Sequence, residues 1–178
     1  MDKLRNLYYK RRSCRSFKED KVSDEKIQLI LEAALLAPAG RNRKPCHFLV
    51  VDDKETLLKL SVAKLHGSQL VEGASHAIVV MGDKTITDTW VEDASIATTF
   101  IQLMAEEIGL GSCWIQIRNR YYDKEETILS NDYLKKLLDI SDNFEVLSMV
   151  ALGYKKEETI GRSKDTLDWT QITHWSSL

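Results

Sequence analysis

The chain has 178 residues, 43% of them hydrophobic and 29% charged, which suits one domain with a core of its own. Its 25 lysines and arginines against 27 acids leave a net charge of −2, which argues against nucleic acid as the main partner, because binding a phosphate backbone draws on a surplus of cations. No apolar run reaches the ~18–20 residues that a membrane-spanning helix needs, and the N-terminus shows no signal-peptide core, so neither a membrane nor export is expected. Three cysteines, Cys14, Cys46 and Cys113, in no pairing pattern, fit reduced thiols and a cytoplasmic protein. With four scattered histidines and no CxxC or HExxH spacing, no metal site is expected.

Residues Asp2–Lys10 read as a short helix. The stretch that follows, Lys10-Arg11-Arg12-Ser13-Cys14-Arg15-Ser16-Phe17, packs four cations and two hydroxyls into eight residues. Guanidiniums carry fixed charge and forked donors, which suits phosphate oxygens, and a hydroxyl can add one more hydrogen bond. In a nearly neutral chain the cluster reads as a local site for one small anion, against the plainer alternative of a solvated basic turn.

Ser23 stands where a helix N-cap belongs, ahead of acids in the first turn, and Ile27, Ile30, Leu31, Ala34 and Leu35 form one buried face. That helix should stop before Pro38. A loop over residues 37–45 then holds both prolines of the chain and ends at a strand, Phe48-Leu49-Val50-Val51. Residues 54–65 read as a second amphipathic helix, and Ala77 to Gly82 as a strand buried on both faces. The longest helix covers residues 90–108 and is apolar or small on nearly every side from Ala94 to Ala105, which suggests cover by another subunit. Gly109 ends it, residues 112–117 form a strand, residues 123–140 read as a surface helix, and residues 146–154 are the last strand. Residues 155–178 look like a docking arm with scattered Leu167, Trp169, Ile172 and Trp175. Alternating helices and strands give an α/β or α+β class around one central sheet.

Four pieces carry a resemblance: Arg11-Arg12-Ser13-Cys14-Arg15-Ser16-Phe17; residues 37–48, Ala37-Pro38-Ala39-Gly40-Arg41-Asn42-Arg43-Lys44-Pro45-Cys46-His47-Phe48; Gly109-Leu110-Gly111-Ser112-Cys113-Trp114-Ile115-Gln116; and Ala151-Leu152-Gly153-Tyr154. In order and spacing they resemble the FMN-dependent nitroreductase family, from about residue 4 to residue 154. The resemblance implies an α+β fold with a central, mostly antiparallel sheet flanked by helices, in an intertwined homodimer with two FMN molecules at the interface. Residues 1–154 would be the FMN-binding domain and 155–178 a C-terminal arm of it.

Carried onto this sequence, the resemblance assigns Arg11, Arg12, Ser13 and Arg15 to the FMN phosphate and ribityl chain. Pro38, Ala39 and Gly40 would reach the ring of the partner's flavin, mainly with backbone, and Asn42 would serve the flavin or the loop's geometry. Gln116 and Ile117 match the place where a backbone N–H approaches flavin N5, and Arg162, with Lys164 as runner-up, is the cation after the last strand. The chain departs from the family at Lys44 and Cys46, where glutamine and tryptophan are usual; Lys44 could serve the flavin's carbonyl oxygens. It departs again at Leu70, the nearest position to a lysine that contacts the pyrimidine edge, and in a tail without the usual basic pair.

What the resemblance implies for function is a two-step exchange. NADH or NADPH delivers hydride to flavin N5 and leaves, and a nitroaromatic, quinone or similar acceptor takes its place. No side chain need act as acid or base, so no catalytic residue is named; Trp90, His66, Tyr121 and Tyr122 are candidates for the substrate face, with packing roles as the plainer reading. The alternative is a non-catalytic flavin-holding sensor or storage module, in which Trp169 or Trp175 docks over the ring.

Overall fold

The computed structural model describes residues 2–174. Five α-helices, α1 (Asp2–Lys10), α2 (Asp24–Leu35), α3 (Lys54–Ser61), α4 (Trp90–Glu107) and α5 (Ser130–Leu138), alternate irregularly with four strands, β1 (Cys46–Val51), β2 (His76–Asp83), β3 (Gly111–Gln116) and β4 (Phe144–Gly153). The strands form one sheet in the order β1-β2-β4-β3, every neighbouring pair antiparallel. This is the α+β class, not α/β: no parallel crossover joins the named strands.

Period-two alternation sorts the sheet's side chains into two cores. Ala77, Val79, Met81, Met149 and Ala151 face α3 and α5, with Leu57, Leu60 and Leu134 packed over them. Ile78, Val80, Val150 and Leu152 face α2 and α4, whose Ile27, Ile30, Ala94 and Ile101 complete the other layer. Because β2 is buried along its whole length, it reads in sequence as an unbroken apolar run.

Several boundaries differ from the sequence expectation for local reasons. Helix α3 stops at Ser61, four residues early, because the Ser68 hydroxyl donates to the carbonyls of Ser61 and Lys64 at 2.8 and 3.1 Å and folds the chain back. The helix expected over 123–140 is only Ser130–Leu138. Ahead of it the Asp123 carboxylate accepts the backbone N–H groups of Ile128 at 2.7 Å and Thr127 at 3.1 Å, a local turn that competes with helix. On α2 the buried face is Ile27, Ile30, Ala33 and Ala34, while Leu35 is exposed; Ser23 holds the N-cap position without a side-chain cap bond.

Candidate functional site

The basic segment leaves α1 and lies across the starts and ends of two strands. Ser13 bridges Ser112 in parallel, and the Cys14 N–H donates to the Ser112 carbonyl at 2.9 Å. Phe17 bridges Lys155, with the Lys18 N–H donating to Tyr154 and the Lys156 N–H to Ser16. Gly111 makes this approach possible, since a Cβ there would sit 2.7 Å from Cys14 Sγ. The buried Cys14 thiol donates to the Ser16 carbonyl at 3.2 Å.

Charges converge on Cys113 beside this segment. Burial pushes that thiol up, while the Arg15 guanidinium, the Ser13 hydroxyl and the Lys64 ammonium next to it pull the other way. Burial, with the Arg120 guanidinium, in turn lowers Lys64. Three cations from three separate segments therefore share one corner with Ser13. Among the described residues none of Arg11, Arg12, Arg15, Lys64 and Arg120 forms an ion pair with a carboxylate. The Arg162 N–H donates to the Tyr9 carbonyl at 2.8 Å, near the end of α1. Lys164 opens a short 3-10 turn further on. The sequence reading did not assign Lys64 or Arg120 to the site, because only the tertiary fold brings Lys64 to Cys113 and Arg120 to Lys64.

At the other end of β3, the Ile117 N–H is donated to the Leu147 carbonyl at 3.0 Å and its side chain is fully buried. Ile117 thus has no donor left for a ligand, which corrects its place beside Gln116. Strand alternation turns the Gln116 N–H the opposite way, off the edge of the sheet, and its side chain is engaged with Trp114 and the Arg118 carbonyl.

The loop over residues 37–45 is elsewhere. The Gly40 N–H donates to the buried Asp93 carboxylate at 2.7 Å, and a Cβ on Gly40 would sit 2.8 Å from Thr89 Oγ1, so the loop is pressed onto the start of α4. Arg41, Asn42 and Lys44 all have left-handed backbone, with φ of 51°, 55° and 51°. Such clustering of costly conformations marks functional loops. Pro38, Ala39, Lys44 and Cys46 line a small cleft with Asp93. The Cys46 thiol is pushed up to about 11, first by burial and then by Asp93. Asp93 is a third residue that the sequence did not assign to the site; in sequence it stands as an acid in a first helical turn.

The structure does not bring this loop to the basic segment of the same chain. The loop precedes β1 at the sheet end where Cys46 pairs with Gly82 and Gly82 with Glu145, whereas the basic segment abuts Gly111 and Gly153. Those levels are eight residues apart along β4, about 26 Å, and β1 and β3 are the opposite edges, three strand gaps or about 14 Å apart.

Of the substrate-face candidates, the Trp90 ring packs on Gly82, Tyr122 stacks on Tyr133 with centroids 4.1 Å apart, and Tyr121 bridges Leu129, all packing roles; His66 is exposed. Trp169 is 62% exposed, and Trp175 lies outside the described residues.

The chain is thus an α+β protein with a cationic corner, without carboxylate partners among the described residues, at one edge of its sheet and a left-handed loop at the far corner. The nitroreductase family model matches residues 8–80 and 59–154, and the chain belongs to the nitroreductase family, a family of oxidoreductases. A relative from Archaeoglobus fulgidus with a provisional NADH dehydrogenase/NAD(P)H nitroreductase name is 42% identical over 162 residues, 89% of this chain and 88% of its own. The NADH dehydrogenase of Thermus thermophilus is 39% identical, with 93% of this chain and 92% of its own covered. The solved structure of an FMN-dependent nitroreductase from Clostridium difficile R20291 is 41% identical, with a TM-score of 0.92 and coverage of 97% and 98%. Among the described residues no helix is long and apolar enough to cross a membrane.

Proposed function

We propose that this protein is an FMN-dependent oxidoreductase that moves electrons from NADH or NADPH to a nitroaromatic, quinone or similar acceptor, as a homodimer with shared flavin sites. The observation that carries the reading is the corner of Ser13, Arg15, Lys64 and Arg120, whose cations have no carboxylate partner among the described residues. A phosphate fits such a corner, because uncompensated guanidiniums and a hydroxyl offer the donors that its oxygens accept. The 41% identity to an FMN-dependent nitroreductase supports the same group. When bound, FMN supplies a ring that takes hydride from the pyridine nucleotide and gives electrons to the acceptor in a two-step exchange.

Each residue set has its task. Arg11, Arg12, Ser13 and Arg15 hold the phosphate and ribityl end, and Arg162, tied to the end of α1, adds a cation there. Gln116 offers its outward N–H to the ring, four residues or about 13 Å along the same edge from Ser112. Lys64 and Arg120 would add positive charge to the same phosphate corner. Pro38, Ala39 and Gly40 would serve the partner's flavin with backbone, Asn42 keeps that loop's left-handed turn, and Lys44 would supply a cation to the ring's carbonyl oxygens. Cations at that edge favour the reduced, anionic ring.

The two-corner separation supports the homodimer: one chain cannot bring residues 37–45 and Arg11–Arg15 to one ligand, whereas a second copy can. A groove of about 500 Å³ between α1 and α4, lined by Leu4, Leu7, Tyr8, Phe100, Leu103 and Met104, offers the apolar surface for it. The test is anaerobic addition of NADH or NADPH to the purified protein with its flavin. Loss of the yellow absorbance supports the enzyme, and an unchanged spectrum with FMN bound supports the flavin-holding alternative. Sedimentation at micromolar concentration should show a dimer; a monomer would sink the shared site.

A further inference from the structure

We propose that Glu106, through Lys155 and Lys10, is the positioning residue for the basic segment, setting where Arg11–Arg15 present their donors. The inference rests on the flavin reading above for its ligand, and on the following geometry for its mechanism. Glu106 sits in the last turn of α4 with its side chain 2% exposed, and the Lys155 side chain is 6% exposed. The Lys155 ammonium donates to both carboxylate oxygens, at 2.7 and 2.9 Å, and the Lys10 ammonium lies 3.7 Å from one of them. Lys10 is the first residue of the basic segment, and Lys155, two residues past β4, bridges Phe17 at its close. One carboxylate therefore holds both ends of the eight-residue stretch. The Lys155 stem also threads between Gly111 and the segment, where a Gly111 Cβ would lie 3.0 Å from Lys155 Cγ and 2.7 Å from Cys14 Cβ.

Stability alone does not explain this arrangement. A carboxylate in the last turn of a helix opposes the helix dipole, and a buried ion pair contributes little net stability against an apolar pair of similar volume. What such a pair does supply is register: it is satisfied in one relative placement of α1, α4 and the end of β4. It also leaves a surplus positive charge under the segment, two lysines to one carboxylate, which adds to the attraction for an anion.

The experiment compares wild type with Glu106→Gln and with the apolar double variant Glu106→Leu/Lys155→Met, which keeps the volume and leaves no buried charge unpaired. Three quantities are read: affinity for FMN, affinity for riboflavin, which lacks the phosphate, and amide hydrogen exchange at Cys14, Lys18 and Lys156 in flavin-free protein. Positioning predicts that the double variant melts no lower than wild type yet binds FMN about tenfold more weakly with riboflavin affinity unchanged, and that the three amides exchange faster. A double variant with wild-type FMN affinity and wild-type exchange overturns the proposal. Wild type that binds neither flavin overturns the flavin reading instead, and the amide exchange still decides whether Glu106 positions the segment.

Discussion

The basic segment and the 37–45 loop are both irregular backbone held still, but by opposite means. The segment is tied at Ser13 and Cys14 to β3 and at Ser16, Phe17 and Lys18 to the residues just past β4, and its ends rest on a buried ion pair. The loop has three left-handed residues and a single buried side-chain anchor, Asp93. The first corner is over-determined, so its function should fail through its charges; the second has one buried side-chain anchor beside an exposed Arg43 bond to the Ile86 carbonyl, so its shape should fail first.

The largest expected effect tests the first corner. Arg11→Ala/Arg15→Ala removes two charge-assisted donors and should weaken FMN binding by about a hundredfold or more, measured as flavin absorbance per chain after dialysis. Full stoichiometry in that variant would remove the phosphate role. The relation between the corners can be tested next by mixing that variant with one whose 37–45 loop is disrupted by Gly40→Asp. Random exchange of subunits should restore about a quarter of wild-type flavin loading, because each mixed dimer keeps one complete site. No restoration would mean that both corners serve a ligand within one chain.

A smaller effect tests the loop's single anchor. Asp93→Ala leaves the Gly40 N–H without its acceptor and should cost about 1–3 kcal/mol in urea unfolding, whereas Asp93→Asn keeps an acceptor oxygen and should cost less. Equal losses would show that charge, not the hydrogen bond, holds the loop. The subtlest test uses Cys46 as a reporter in the same corner. With its thiol pushed up to about 11, alkylation should be slow near neutral pH and rise about tenfold per pH unit toward that value. Asp93→Asn should bring the rise to lower pH, since the nearby carboxylate disfavours the thiolate; an unmoved profile would leave burial as the whole cause.

Much of this molecule was legible before its structure. The period of Ile27, Ile30 and Ala34, the apolar run of β2 and the left-handed Gly109 that ends α4 are local, and they appear where expected. The helix over 123–140 was misread because Leu134, Leu137 and Leu138 keep helical spacing while a single Asp123 side chain diverts the chain ahead of them. Arg11 to Arg15 could be read from charge and order alone. Lys64, Arg120, Asp93 and Glu106 could not, since each gains its meaning from a neighbour far away in sequence. Ile117 failed for a subtler reason: which way an N–H points along a strand depends on register, and register is a property of the partner strand.

Helix α4 starts under the loop with Asp93 and ends under the basic segment with Glu106, thirteen residues or about 20 Å apart. In a twofold assembly with shared sites, each copy of this rod borders two different prosthetic groups, the head of one and the tail of the other. The spacing of the two redox centres would then follow a run of about three and a half helical turns. Shortening or lengthening that rod would move both centres together.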